Sequence, residues 1–305
     1  MTWSWRLLRC ARFRLDAGAM FGLVPKGIWH SWFEPGELDE ANRMPLNTNS
    51  LLLEGHGRLV LIEVGIGDKL SPKEQAIYAL EKRSVLDALH EADCRPEDVT
   101  DVILTHLHFD HAGGLTRAAA PGSDSVRLSF PNARIHVQKQ EWEDAVANRS
   151  VMHKTYLPSH LTAEVRDRLV LADTPAAYLP HAPAAPPTPA PGPVPETEIL
   201  PDVFVWRTPG HTWGQQAVRF ASSHASSAVP RQIVYVPDVM PTRWHARPTT
   251  NMAYDVEPYV SMLERARLME RAAREHWTLV LDHDPGGAVF GAEHDAKSGY
   301  RLVDA

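Results

Sequence analysis

The segment Thr105-His106-Leu107-His108-Phe109-Asp110-His111-Ala112-Gly113-Gly114 constrains this chain more than any other part of it. It sets three histidines and one aspartate within six positions, directly after Val102-Ile103-Leu104, which reads as a short buried strand. Imidazoles and a carboxylate packed together must be neutralised, hydrogen-bonded or ligated, because desolvating such groups without partners is costly. In an extended segment residues two apart face the same way, so His106 and His108 can hold one ion between them. Asp110 and His111 lie past the turn and can point at a second ion beside the first. Gly113 and Gly114 then allow tight backbone packing as the chain turns into a helix.

This motif resembles the HxHxDH signature of the metallo-β-lactamase-fold hydrolases. The surrounding text, including Phe130-Pro131-Asn132-Ala133, is similar to the branch holding acyl-homoserine-lactone lactonases and methyl parathion hydrolase-like enzymes. The similarity runs from about Ala19 to Pro285. It implies an α/β fold, a four-layer αββα sandwich, and three further metal ligands in order: a histidine, an aspartate and a histidine, each closing a strand. Residues of those types stand where this requires. Val203-Phe204-Val205-Trp206 leads to His211, Ile233-Val234-Tyr235-Val236 to Asp238, and Thr278-Leu279-Val280-Leu281 to His283. Ligands at the ends of separate strands can converge on one edge of a sandwich.

The resemblance therefore implies a ligand set of His106, His108, Asp110, His111, His211, Asp238 and His283, with Asp238 bridging two divalent ions. Nitrogen and carboxylate ligands without a redox requirement favour Zn²⁺; Mn²⁺, Co²⁺ or Fe²⁺ can fill the same site. Neither cysteine falls in a ligand motif, unlike the antibiotic-degrading relatives. Two ions about 3.5–4 Å apart would share a bridging hydroxide that attacks an ester or lactone carbonyl, or, on the alternative reading, the phosphorus of a phosphotriester. Asp110 would be both ligand and proton shuttle to the leaving group. A non-catalytic, metal-stabilised binding protein is a third reading, opposed by retention of every ligand type. A glutamate replaces the second motif histidine in redox relatives, so His108 opposes a di-iron electron-transfer role.

Three departures from the family pattern bear on the site. Glu63, in Leu61-Ile62-Glu63-Val64-Gly65, stands where an aspartate is usual and would bond ligand histidines or the metal-loop backbone from outside the ligand sphere. Pro237 replaces a glycine before Asp238 and keeps Val236 extended. After Asp238 the lactonases carry a tyrosine; here the text reads Val239-Met240-Pro241-Thr242, leaving Tyr254 as a substitute from further along. Met20, Phe21, Trp244 and Tyr254 are the residues expected to line the substrate pocket, with Trp29, Trp32 and Phe33 near its mouth.

Composition narrows the partners. A net charge of -7 opposes a phosphate backbone as ligand, so nucleic acid is excluded in favour of a small-molecule substrate. The chain holds no run of about 18 uncharged apolar residues, so no membrane span is expected. Arg6, Arg9, Arg12 and Arg14 interrupt any apolar leader, and with only Cys10 and Cys94 the expectation is a reduced, cytoplasmic setting. Oligomeric state stays open, a homodimer being one option. An apolar share of 44% suits one hydrolase domain over 1–305 with two internal sheet faces and covering helices.

Ten of the 25 prolines fall between Pro175 and Pro201, so about 173–201 reads as a Pro/Ala-rich surface insertion, interrupting a hairpin between Leu169-Val170-Leu171 and Val203-Phe204-Val205. Ser222 to Ser227 reads as a second surface loop, with no role for His224. Ser71-Pro72-Lys73-Glu74 is a capping box that opens a helix through about Leu80 or beyond. Ser84 to Ala92 supplies another helical face. From Glu257 to His276 helical spacing predicts an apolar face of Tyr259, Met262, Leu263, Ala266, Met269 and Ala273, with Glu264, Arg265, Arg267, Arg271 and Arg274 in water.

Overall fold

The computed structural model describes residues 2–120, 123, 125–151, 154–176, 193–222, 231–296 and 299–305. Most of the Pro/Ala-rich stretch, 177–192, lies outside the described residues, as do His224 and most of its loop.

In chain order the first eight strands are β1 (Ser4–Asp16), β2 (Arg43–Gly55), β3 (Arg58–Ile62), β4 (Asp101–Ile103), β5 (Thr116–Ala118), β6 (Val126–Leu128), β7 (Arg134–Gln138) and β8 (Leu169–Ala172). Seven more follow: β9 (Thr197–Leu200), β10 (Val203–Arg207), β11 (Gln216–Ser222), β12 (Arg231–Val236), β13 (Thr278–Leu281), β14 (Val289–Asp295) and β15 (Gly299–Asp304). They form a six-stranded sheet ordered β1-β2-β3-β4-β7-β8 and a seven-stranded sheet ordered β15-β14-β13-β12-β11-β10-β9, with β5 and β6 apart as a hairpin. From β3 through β8 the first sheet is parallel; in the second, only β12 and β13 are.

Strand alternation separates the layers. On β2 and β3, Leu51, Leu53, Val60 and Ile62 face Val203, Val205, Val218, Phe220, Ile233 and Tyr235 of the other sheet, forming the core between the two sheets. The intervening Leu52 and Leu61 point outwards onto Val85, Ala88 and Leu89 of the Val85–Glu91 helix. On the far side Val234, Val236, Leu279 and Leu281 pack on Leu268, Met269 and Ala272 of the Pro258–Glu275 helix. Helices, sheet, sheet and helix make four layers, the αββα sandwich expected. Among the described residues no helix is long and apolar enough to cross a membrane.

Several local expectations need correction. Leu169-Val170-Leu171 and Val203-Phe204-Val205 do not pair: β8 joins β7 in the first sheet, while β10 lies between β9 and β11 in the second. Thr197–Leu200, inside the expected insertion, is the edge strand β9. The capping box at Ser71 is present, but its helix stops at Ile77, not Leu80, because Ala79 turns to φ +44° and Glu81 N–H is drawn to the Arg12 carbonyl. The Pro258–Glu275 helix buries a face rotated from that predicted. Val260, Ser261, Glu264, Arg265, Leu268, Met269 and Ala272 are inside, and Tyr259 is 52% exposed. Arg265 explains part of the rotation: its guanidinium donates to the His245 carbonyl (2.9 Å) and Thr250 Oγ1 (2.8 Å), so the helix also braces that loop.

Candidate metal centre

β4 ends at Ile103, and the chain bends at Thr105 and at His108 before one helical turn, Phe109–Ala112, and a 3-10 turn, Gly113–Leu115. The turn is tighter than the helix expected after the glycines. It packs so closely on the chain after β3 that a Cβ on Gly113 would meet the Ile66 carbonyl at 2.1 Å, and one on Gly114 the Val64 carbonyl at 2.1 Å. Glu63 closes β3 in the left-handed region, φ +67°. That geometry lets Oε1 accept from Thr105 N–H (2.5 Å) while Oε2 lies 3.1 Å from His111 Nδ1. The glutamate thus reaches both the metal-loop backbone and a motif histidine.

His211, Asp238 and His283 follow β10, β12 and β13. These three strands run in the same direction, so their ends meet at one edge of the second sheet, facing the β4 loop of the first. Two groups of buried side chains result: His106, His108 and His211; and His111, Asp238, Asp282 and His283. Within each group the candidate donor atoms lie within 4.8 Å of one another. Asp238 stands between them, with Oδ2 3.1 Å from His211 Nε2, 3.9 Å from His106 Nε2 and 3.7 Å from His111 Nε2, and Oδ1 3.4 Å from His283 Nε2. Asp110 sits at the rim of the second group, 3.6 Å from His283 Nε2 and 3.8 Å from His111 Nε2.

Outer contacts fix which way each ring presents its lone pair. His111 Nδ1 faces the Glu63 carboxylate, His211 Nδ1 faces Asp255 Oδ1 (3.0 Å) and His283 Nδ1 faces the Asn47 carbonyl (2.8 Å). Each partner accepts, so these nitrogens carry a proton, and in the neutral ring Nε2 points inwards as a lone pair. His111 Nε2 and His283 Nε2 then meet at 3.1 Å, and His211 Nε2 lies 3.0 Å from His108 Nδ1. His106 Nε2, Asp238 Oδ1 and both Asp282 oxygens are buried without a hydrogen-bond partner among the described residues. Ring nitrogens and carboxylate oxygens converging in this way, several of them unpartnered, fit cations.

Titration divides these groups: two rings are held neutral, while others are drawn towards a proton on the inward nitrogen, the position a cation would take. Burial, and then the neighbouring imidazoles, hold His106 and His108 well below the usual imidazole range. Burial works against charge on His111, yet Glu63 and Asp110 outweigh it and raise its pKa well above that range. Burial likewise opposes the Asp238 carboxylate, but His211 and His283 hold it well below the usual carboxylate range. Asp282 goes the other way, raised by burial and by the charge of Asp238.

Above the centre lies a cavity of about 420 Å³ reached by His108, Asp110, His211, Asp238 and His283. Leu15, Met20, Ile77, Phe109 and Met252 supply apolar wall, and Tyr78 and Tyr254 also line it. Of the expected pocket residues, Met20 and Tyr254 are on this wall. Phe21 is not: it is fully buried among Trp29, Trp32, Phe33 and His245. Trp244 packs on Phe33 (4.5 Å) and donates to the Trp32 carbonyl, beside a different depression. Three further buried carboxylates, Asp282, Asp255 and Glu141, adjoin the centre and were not singled out from the sequence. Asp282 adjoins His283, so proximity was a signal; nothing in spacing pointed to Asp255 or to Glu141, the buried carboxylate behind the histidines.

The chain belongs to the metallo-beta-lactamase superfamily, whose family model matches residues 43–238. An N-acyl homoserine lactonase of Bacillus thuringiensis is 23% identical over 204 residues, 67% of this chain and 63% of that relative's length. A probable metal-dependent hydrolase from Staphylococcus aureus superposes with a TM-score of 0.79 at 25% identity, covering 100% of this chain and 98% of its own. AidC, a dizinc quorum-quenching lactonase solved with a product, N-hexnoyl-L-homoserine, shares the fold at a TM-score of 0.72 and 16% identity, over 99% of this chain and 94% of its own.

Proposed function

We propose that this protein is a metal-dependent hydrolase holding two divalent ions, most simply Zn²⁺, that cleaves a carboxylic ester or lactone. The observation carrying the reading is the convergence of two buried histidine and aspartate groups on Asp238 at the floor of a largely apolar cavity. Similarity to lactonases and to a metal-dependent hydrolase supports the same class. Divalent ions bound there would acidify a water towards neutral pH and polarise the substrate's oxygen.

The chain's own residues do the rest. His106, His108 and His211 would hold one ion, His111, Asp110 and His283 the other, with Asp238 between; Asp282, behind Asp238, adds a carboxyl to the second group. Glu63 orients His111, as Asp255 does His211. The carboxylate of Asp110, at the cavity floor, is placed to carry a proton to the leaving oxygen. Apolar walls exclude water and suit an acyl or aryl group. The Tyr78 and Tyr254 hydroxyls, without hydrogen-bond partners among the described residues, are available to a substrate carbonyl; Tyr254 would do the work of the tyrosine absent after Asp238.

A hydrolysis panel on the metal-reconstituted protein tests the reading: lactones, aryl esters, thioesters and phosphotriesters. Turnover of a lactone or aryl ester at least tenfold above the others is the expected result. Preference for phosphotriesters would move the assignment to that class, and no metal-dependent turnover on any of them would sink it.

A further inference from the structure

Glu141 is fully buried in the first turn of the Lys139–Val146 helix, a place where an ionisable side chain survives only if its oxygens are satisfied. They are. Oε1 accepts from the Leu107 backbone N–H (2.9 Å) and the Tyr156 hydroxyl (3.0 Å), and Oε2 accepts from Thr212 Oγ1 (2.6 Å). Leu107 is the residue between His106 and His108, and Thr212 follows His211. One carboxylate therefore ties together the two segments, 103 residues apart at their nearest, that carry the three-histidine group.

The surroundings reinforce the tie. The Leu107 peptide is held from its other side, where His160 Nε2 donates to the Leu107 carbonyl at 3.0 Å. The ring of Tyr156 lies 4.9 Å from that of His108. The turn after His211 presses so closely on the helix that a Cβ on Gly214 would come 2.2 Å from Glu141 N. No hydrogen bond joins Glu141 to His111, Asp238, Asp282 or His283 among the described residues. We infer that Glu141 is a positioning residue for one half of the centre, setting the separation between the His106–His108 segment and His211 and so the affinity for the ion those three would hold.

The inference rests on the metal-centre reading, and metal binding by the wild type checks that reading separately. The full chain, stripped by a chelator, is titrated with Zn²⁺ by equilibrium dialysis and with Co²⁺ by visible absorption, alongside melting of the metal-free form. Glu141→Gln keeps the shape and loses the charge. It should weaken one of two ions by about 10–100-fold, the usual effect of removing such an outer partner, and leave the other within twofold. Thr212→Val should weaken the same ion and Thr212→Ser should restore it; this pair carries the test if Glu141→Gln does not fold. Unchanged affinities in the variants would overturn the inference alone. Equal weakening of both ions with a matching fall in metal-free melting temperature would reduce Glu141 to a general stability role and overturn it too. A wild type that binds no metal would overturn the centre and this inference together.

Discussion

Asp110 differs from the other ligand candidates in combining a place on the cavity wall with one at the rim of its group, its carboxylate 3.6 Å from His283 Nε2. A proton shuttle needs that placement. Asp110→Asn keeps the volume and removes the transferable proton, so turnover of an alkyl lactone should fall about 10²–10⁴-fold. A nitrophenyl ester, whose leaving group needs no protonation, should lose much less; equal losses on both, measured with metal-loaded proteins, would leave Asp110 a ligand only. Gly114 is constrained differently. Gly114→Ala drives a methyl into the Val64 carbonyl, and overpacking of this kind costs about 1–3 kcal/mol. Because Val64 N–H donates to the His111 carbonyl, denaturant unfolding and metal content should fall together. The histidines and Asp238 could be read from the sequence because short motifs and strand ends mark them. Asp255, Tyr156 and Glu141 could not, since only tertiary folding brings them to the rings they support.

Among the elements, the Pro258–Glu275 helix shows what periodicity leaves out. Its spacing marks a helix, but the orientation is set by two surfaces at once, the sheet under Leu268 and Met269 and the loop held by Arg265. Glu264 is buried as a result, and burial pushes its carboxyl up to about 8 from an ordinary 4.5, with Arg267 and Arg271 opposing. A raised folded-state pKa means the native protein holds a proton that the unfolded chain releases, so stability falls as pH rises from about 4.5 through 8. Glu264→Gln cannot ionise. It should stabilise the protein more at pH 8 than at pH 5, by about 1.4 kcal/mol per pH unit in that window at most. Denaturation curves at the two pH values with an unchanged difference would refute this. The strands fared better, yet an apolar run announces a strand without saying which sheet it joins. β8 and β10 therefore looked like partners when each belongs to a different layer.

Across the whole molecule the centre stitches the two sheets together: the β4 loop belongs to the first, and the ends of β10, β12 and β13 to the second. Ions that bind only the folded form add stability, about 2.7 kcal/mol for a site at a hundredfold excess over its dissociation constant. Chelation should therefore lower the melting temperature of the entire sandwich in one transition, and zinc should restore it. A melting temperature indifferent to chelator would mean the centre does not clamp the layers.

The division of ligands between the two sheets also follows the order in which the chain is made. A nascent chain exposes His106, His108, Asp110 and His111 first, a cluster without His211 or the proposed bridging carboxylate. His211 comes a hundred residues after His111, Asp238 next, and His283 last. An ion arriving early would find only a loose foothold. On the proposed reading metal capture would be a closing event of biogenesis, a mark that both layers have been synthesised and have met.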